Sequence, residues 1–276
     1  MSTSPAQSLP LPEHWITEGP VLLDYADGIA FMTLNRPESA NGMNVEFMKA
    51  FHAAAMECHK RPGVRVVLLR GAGRNFCAGG DVREFASKGD GIGDYMREVT
   101  AYLQAAVGAL IRLNAVVVTQ VQGFAAGGGG LGLVCASDIV IAGASAKFLA
   151  GATRVAMVPD GGASVILPSL IGFRRAMDIL VSNRIVPAQE ALDIGLITRM
   201  VPDETLEAEA LALARTIAEG APMALAHTKR LLWNGLGVEA ALPEEARTQA
   251  QLCSTADAKE GLRAVIEKRT PRFTGQ

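Results

Sequence analysis

The order of apolar and polar positions divides the first part of the chain into strands and helices. Two short apolar runs at 21–25 and 29–34 flank Asp27-Gly28, a pair typical of hairpin turns. From Asn44, apolar residues recur at helical spacing to about residue 60, which predicts a capped helix. The almost wholly apolar run at 64–69 predicts a strand buried on both faces.

The same alternation continues through the middle of the chain and changes near residue 200. We predict a short helix at 82–85, a mobile polar loop at 88–93, a long helix at 95–113 and a strand at 116–121. This order of strands and helices predicts a parallel sheet with crossover helices. From Asp203, which we expect to cap a helix, the pattern is almost wholly helical.

These patterns divide the 276 residues into three parts. Residues 1–15 begin with a stretch rich in Ser, Pro and Gln, and we expect a disordered tail rather than a signal peptide. Residues 16–200 are expected to form an α/β core. Residues 201–276 form a helical region that is too amphipathic to be a tail, so it should pack on the core or on a neighbouring subunit.

Composition narrows the class of protein. Hydrophobic residues make up 49% of the chain, enough for a sizeable core, and the net charge of −2 argues against a nucleic-acid partner. No apolar run approaches the roughly 18 residues of a membrane helix. The four cysteines lie far apart and form no C-x-x-C pair, so we expect buried thiols, no metal and a cytoplasmic location.

Two glycine-rich turns each lead from a strand into a helix. In the second, Gly127-x-Gly129-x-x-Gly132 matches the dinucleotide-binding pattern, but no acidic residue ends the following strand. A phosphate loop is also excluded, because no Lys-Ser or Lys-Thr follows the glycines. Taken alone, this run indicates only a tight packing turn.

The first turn, Ala78-Gly79-Gly80-Asp81, changes that interpretation. Two such turns from neighbouring strands can direct two backbone N–H groups at one oxygen, as in an oxyanion hole.

Four motifs extend this interpretation to most of the chain: Leu34-Asn35-Arg36-Pro37 with Asn44, the segment 75–81, the segment 123–129 with 136–138, and 158–162. Together they resemble the crotonase (enoyl-CoA hydratase/isomerase) superfamily. The resemblance implies an α/β fold, a crotonase-type spiral of repeated ββα units with a helical C-terminal region. It also implies that this region builds homotrimers or dimers of trimers.

The resemblance further implies an acyl-CoA substrate and no permanently bound cofactor. The thioester oxygen would accept hydrogen bonds from Gly80 N–H and from Gly129 or Gly128 N–H. Both registers stay open, because the segment from Gly123 to Asp138 is one residue longer than the family pattern. We favour Gly129, counting back along the more rigid helix side. Contacts with CoA or its acyl chain are expected from Ala78, Asp81, Arg83, Phe85 and Lys268.

The chain departs from the hydratases of this family at two positions. Their first glutamate corresponds here to Leu131 or Gly132, and their second to Ala152. Hydration needs one group to activate water and another to protonate carbon, so the two-glutamate route is not available. The resemblance places one remaining carboxylate, that of Asp160, at the active site. It is expected to be a catalytic base, the N-cap of the next helix, or both.

A double-bond shift needs only one base, which removes a proton and returns it elsewhere. The expected activity is therefore enoyl-CoA isomerisation with Asp160 as the base. The alternatives on the same site are hydration, thioester hydrolysis and aryl-CoA dehalogenase-like chemistry. The alternative outside catalysis is a degenerate acyl-CoA-binding protein.

Overall fold

The computed structural model describes residues 12–275, and its fold is built around a seven-stranded sheet. Numbered in chain order and given in spatial order, its strands are β1 (Glu13–Ile16), β2 (Val21–Ala26), β3 (Ile29–Leu34), β4 (Val66–Gly71), β5 (Val116–Val121), β7 (Ile139–Gly143) and β10 (Arg199–Val201). The first three strands are antiparallel, and every later pairing is parallel. The predicted parallel sheet is thus confirmed from β3 onward.

A smaller sheet contains β6 (Phe124–Ala126), β8 (Lys147–Leu149) and β9 (Val186–Pro187). Strand β6 follows β5 after a turn of two residues, so one ββ unit contributes a strand to each sheet. The α/β class expected from the motifs is confirmed by this architecture.

Eleven α-helices surround these sheets within residues 12–275. They are α1 (Val45–Lys60), α2 (Val82–Ser87), α3 (Ile92–Arg112), α4 (Leu133–Cys135), α5 (Ala163–Ile171), α6 (Phe173–Ser182), α7 (Ala188–Asp193), α8 (Leu206–Ala218), α9 (Pro222–Asn234), α10 (Val238–Cys253) and α11 (Ala256–Ile266). None of them combines the length and hydrophobicity needed to cross a bilayer.

The core lies on both faces of the large sheet. On one face, Val66 and Leu68 of β4 pack with Leu206 and Leu213 of α8. On the other face, Val67 and other inward residues join the apolar sides of α1 and α3. Burial on both faces explains why the parallel strands read as continuous apolar runs.

Local signals in the sequence produce the expected local structures. Asp27 and Gly28 both adopt positive φ angles, 51° and 82°, as a two-residue hairpin turn requires. The Asn44 side chain accepts a hydrogen bond of 2.9 Å from Phe47 N–H and caps α1.

Three details differ from the sequence expectations. Within the expected tail, residues 1–11 lie outside the described residues, whereas Glu13–Ile16 pair with β2 as a strand. The expected mobile loop at 88–93 is instead a 3₁₀ turn, Gly89–Gly91, followed directly by α3. The first residue of α3, Ile92, is buried, so packing favours the earlier helix start. The Asp203 carboxylate does not cap a helix; it accepts a hydrogen bond of 3.0 Å from Ser145 N–H.

A buried ion pair attaches the C-terminal helices to the sheet. The Asp138 carboxylate lies 2.9 Å from Lys229 Nζ on α9 and accepts hydrogen bonds from Trp233 Nε1 and Val117 N–H. Lys229 also donates to the backbone oxygens of Leu110 and Ala115. Burial lowers the pKa of Lys229, and the Asp138 charge opposes this shift.

Replacing Asp138 with Ala should destabilise the fold by about 3–5 kcal/mol, because the Lys229 charge would stay buried without its partner. Denaturant unfolding measures this difference. The matched control is Asp94→Ala, which breaks the exposed pair with Arg97 and should cost less than about 1 kcal/mol. Equal losses in the two variants would contradict the role assigned to the buried pair.

Candidate active site

The first glycine-rich turn is held between two other backbone segments. Cys77 pairs with β6, and Met43 bridges the turn by donating its N–H to Gly79 O and accepting from Asp81 N–H, both at 2.8 Å. Because neighbouring peptide groups in an extended chain point to opposite sides, Gly80 N–H is directed away from Met43. Among the described residues, no backbone partner engages this N–H group. It is therefore free to donate to a ligand.

The second turn enters a helix through an irregular first turn. Gly127 is the N-cap, with φ 61°, and Gly128–Gly132 form a π-helical turn that continues into α4. The first N–H groups of a helix lack partners within the helix, so those of Gly128 and Gly129 are both available. A π turn contains an extra residue relative to an α turn. It lies within the segment Gly123 to Asp138, where one residue more than the family pattern is expected.

The two turns touch each other directly. A Cβ atom added at Gly127 would lie 3.2 Å from Gly79 Cα, and one added at Gly79 would lie 3.0 Å from Ala126 O. At Gly80 an added Cβ would lie 2.3 Å from the Phe85 ring. A side chain at Gly79 or Gly127 would crowd the facing turn, and one at Gly80 would displace the Phe85 ring. The glycines thus allow N–H groups from both turns to face one cavity.

Asp160 lies against the second turn from the opposite side. A Cβ atom at Gly128 would lie 1.4 Å from Asp160 Oδ1, so this carboxylate needs the glycine beside it. The Asp160 side chain is only 9% exposed. Burial, followed by the negative charge of Glu245, raises the pKa of Asp160 from 3.8 to about 7, and a hydrogen bond from its own backbone opposes the shift. Such a carboxylate can exchange a proton near neutral pH.

One cavity of about 1040 Å³ connects these groups. Its apolar part is lined mainly by methionine and branched aliphatic side chains, namely Met43, Met48, Val82, Met96, Val99, Leu103, Leu149, Val155, Met157, Leu262 and Val265. Its wall also contains the cationic residues Arg154, Lys268 and Arg269. Asp160 is the one carboxylate among the described residues that line it. The cavity can hold an apolar chain attached to an anionic group.

The structure brings most, but not all, of the expected site residues to this cavity. Its walls include Ala78, Gly80, Phe85, Gly128, Gly129, Asp160 and Lys268. Asp81 and Arg83 do not line it. Asp81 instead caps α2 by accepting from Glu84 N–H and pairs with Arg36, and Arg83 is exposed on α2.

The positions expected to correspond to the hydratase glutamates also lie at the site. Leu131 and Ala152 border a small void together with Asp160, and Gly132 packs against Asp160 O and Gly161. The side chains at all three positions lack acid–base groups in either register. The alternative role of Asp160 as a side-chain cap is not observed, because α5 begins at the N-cap Gly162 without a side-chain hydrogen bond from Asp160.

Two polar residues at the site escaped the sequence analysis. Glu245 and Gln249 of α10 are both buried and bind the segment around Asp160. The signal for them is positional: Val238, Leu242, Glu245 and Gln249 share one helical face, so two polar groups interrupt an apolar stripe.

Within residues 12–275, no three His, Cys, Asp or Glu side chains cluster as metal ligands.

The fold and the paired glycine turns define a protein of the crotonase superfamily, and comparisons with known proteins agree. The family model described as "Enoyl-CoA hydratase/isomerase" matches residues 24–276. The chain belongs to this family of acyl-CoA enzymes.

Similar proteins include both hydratases and an isomerase. A probable enoyl-CoA hydratase of Rhodobacter capsulatus is 36% identical over 92% of this chain and 97% of its own. The 1,2-epoxyphenylacetyl-CoA isomerase of Escherichia coli is 34% identical over 93% and 98%. The crystal structure of an enoyl-CoA hydratase from Mycobacterium avium subsp. paratuberculosis has a TM-score of 0.85 at 31% identity, covering 93% of this chain and 99% of that one.

The raised pKa of Asp160 has a consequence for stability. Because the pKa is higher in the folded chain (about 7) than in the unfolded chain (3.8), the folded state is favoured below pH 3.8 and loses this advantage as the pH rises through 7. Asp160→Asn should therefore stabilise the protein at pH 8 by on the order of 4 kcal/mol, and by less at pH 5. Urea unfolding at the two pH values measures the difference. Asp94→Asn, at an exposed position, is the control; a gain for Asp160→Asn that is the same at both pH values would contradict the shift.

Proposed function

We propose that this protein is an enoyl-CoA isomerase that moves a double bond along the acyl chain, with Asp160 as its single base. The observation that carries the proposal is the placement of one buried carboxylate, with a pKa raised to about 7, in a cavity that also receives free N–H groups from both glycine turns. The family match supports the acyl-CoA substrate.

The proton moves between two carbons of the substrate. Ionised Asp160 removes a proton from C2 of a 3-enoyl thioester, and the electron pair passes into the carbonyl to give an enolate. Asp160 then returns the proton to C4, and the double bond forms between C2 and C3. No atom is gained or lost, so no water or second base is required. A base with a pKa near the working pH suits both halves of this transfer.

The enolate oxygen is held in the proposed oxyanion hole. Gly80 N–H supplies one donor and Gly129 N–H the other, with Gly128 as the alternative for the second. Gly129 is favoured because a Cβ added to it would point at Met43, the residue that bridges the first turn, whereas one added to Gly128 would point at Asp160. Fixed donors of this kind typically contribute a few kcal/mol each to the transition state.

The residues around Asp160 argue against hydration as the main activity. Leu131, Gly132 and Ala152 offer no second carboxylate to activate water. The cationic side chains of Lys268 and Arg154 provide charge for the phosphates of CoA, whereas Arg269 is paired with Glu260 and Glu267. We further propose that subunits associate through the C-terminal region as trimers, because Met223, Leu231 and Leu232 of α9 expose apolar side chains in the single chain.

A second candidate is isomerisation of an aryl-CoA epoxide. It is favoured by the relative from Escherichia coli that is named for 1,2-epoxyphenylacetyl-CoA. This reaction also rearranges its substrate without an added reagent. Its substrate belongs in the same assay panel.

The test is a panel of 3-enoyl-CoA, 2-enoyl-CoA and 1,2-epoxyphenylacetyl-CoA substrates, followed by chromatography of the products. We expect turnover of 3-enoyl-CoA and little hydration of 2-enoyl-CoA. Asp160→Asn should lose about 10²–10⁴-fold in kcat and still bind the CoA ester, because only the base is removed. Asp94→Asn is the matched control. Undiminished turnover in Asp160→Asn rejects the base, and tight binding without turnover of any ester supports the degenerate binding protein.

The activity should also depend on pH in a defined direction. Because Asp160 must be ionised to accept a proton, kcat/KM should rise with pH and level off above the pKa of about 7. Steady-state rates between pH 5 and 9 measure this limb. An acid limb near 4, the range of an ordinary carboxylate, would exclude the buried base.

A further inference from the structure

Helix α10 binds the segment that carries Asp160 on both sides of that residue. Gln249 Oε1 accepts a hydrogen bond of 2.9 Å from Val158 N–H, two residues before Asp160. Glu245 Oε2 accepts one of 2.7 Å from Gly162 N–H, two residues after it. Glu245 Oε1 also accepts from the backbone N–H of Ser164, at 3.0 Å, and from the Ser164 hydroxyl group.

The segment needs such support because its own backbone is weakly constrained. Gly161 and Gly162 both adopt positive φ angles, 63° and 84°, and glycine has more conformational freedom than any other residue. Helix α5 has no capping side chain from its own segment. Glu245 supplies that acceptor from α10 instead, so the N-terminus of α5 and the turn before it are held together.

The supporting residues are themselves buried and firmly placed. Glu245 is 6% exposed and Gln249 is 4% exposed, and they lie one helical turn apart on α10. Helix α10 packs along α3, where Gln104 Nε2 donates to Leu242 O. No Lys, Arg or His in the described chain forms an ion pair with Glu245. Backbone N–H groups at the start of α5 accommodate its charge.

We propose that Glu245 and Gln249 are positioning residues that hold Asp160 where it can reach both carbons of the substrate. The proposal rests on the isomerase function argued above. A base that serves two carbons in turn must keep its place through both proton transfers, and small displacements of a catalytic group are costly. Gln249 also lines the cavity, whereas Glu245 does not, and neither residue is required to touch the substrate for this role.

Glu245 has a second effect, through its charge. It is the neighbouring group whose negative charge raises the pKa of Asp160. The other titratable groups nearby are Cys135 of α4 and Cys253 of α10, and Arg154, Lys268 and Arg269 in the cavity wall. Gln249 carries no charge, so the two positioning residues should differ in their effect on pH dependence.

The test compares three variants of the full-length protein. Glu245→Gln should lower kcat about 10- to 100-fold with little change in KM, and move the acid limb of kcat/KM to lower pH. Gln249→Leu should lower kcat similarly and leave the acid limb in place. Glu244→Gln is the matched control, because Glu244 precedes Glu245 on α10 but forms an exposed pair with Arg247; it should change neither quantity.

The outcome that overturns the proposal is a normal kcat and an unmoved acid limb in Glu245→Gln. A lower melting temperature with normal kcat per folded molecule would also overturn it, since that indicates only a structural role. If Glu245→Gln does not fold, Gln249→Leu decides: an unchanged kcat rejects positioning, and a reduced kcat with an unmoved acid limb supports it.

A measurement without substrate separates this proposal from the isomerase assignment. A ¹³C NMR titration of ligand-free protein, labelled at aspartate Cγ and assigned with Asp160→Asn, reports the pKa of Asp160 directly. A lower pKa in Glu245→Gln than in the wild type and in Glu244→Gln supports the coupling, even if no enoyl-CoA is isomerised. Equal values in all three reject it.

Discussion

Backbone contact between the two glycine turns is the constraint on which the site depends. Gly79 and Gly127 approach so closely that a single Cβ atom would separate them. The contact is possible because Cys77 pairs with β6 on one side and Met43 pairs with the turn on the other. In these pairings the neighbouring N–H and C=O groups form hydrogen bonds with other backbone segments. The pairings leave the N–H of Gly80, a residue of the cavity wall, without a backbone partner among the described residues.

The same close packing determines the electrostatics of Asp160. Its carboxylate occupies the space that a side chain at Gly128 would fill, and it is therefore removed from water. Removal from water raises its pKa, and the buried charge of Glu245 adds to the effect. A carboxylate in this state costs folding free energy at neutral pH, which the large core on both faces of the sheet can offset. The packed core therefore offsets the free-energy cost of burying this carboxylate.

Local chemistry explains how much of the fold could be predicted. The hairpin at Asp27-Gly28, the Asn44 cap and the apolar parallel strands are short-range signals, and each led to the observed element. The polar, glycine-rich composition of the segment 88–93 predicts a loop. In the structure, however, α3 begins within this segment, at the buried residue Ile92. Asp203 has the composition of a cap but bonds to Ser145, a partner 58 residues away that no local pattern reveals.

At the site, the residue types could be predicted from the order of residues: two glycine turns, one aspartate in a Pro-Asp-Gly-Gly segment, and no carboxylate at Leu131, Gly132 or Ala152. These follow from motif spacing, which depends only on the order of residues. Tertiary structure alone decided that Asp160 is buried against Gly128, and that α10 reaches it with Glu245. Only the folded chain shows that the glycine run forms a π turn. The physical reason is distance along the chain: burial, charge coupling and hydrogen bonds between segments more than 80 residues apart arise only when the chain has folded.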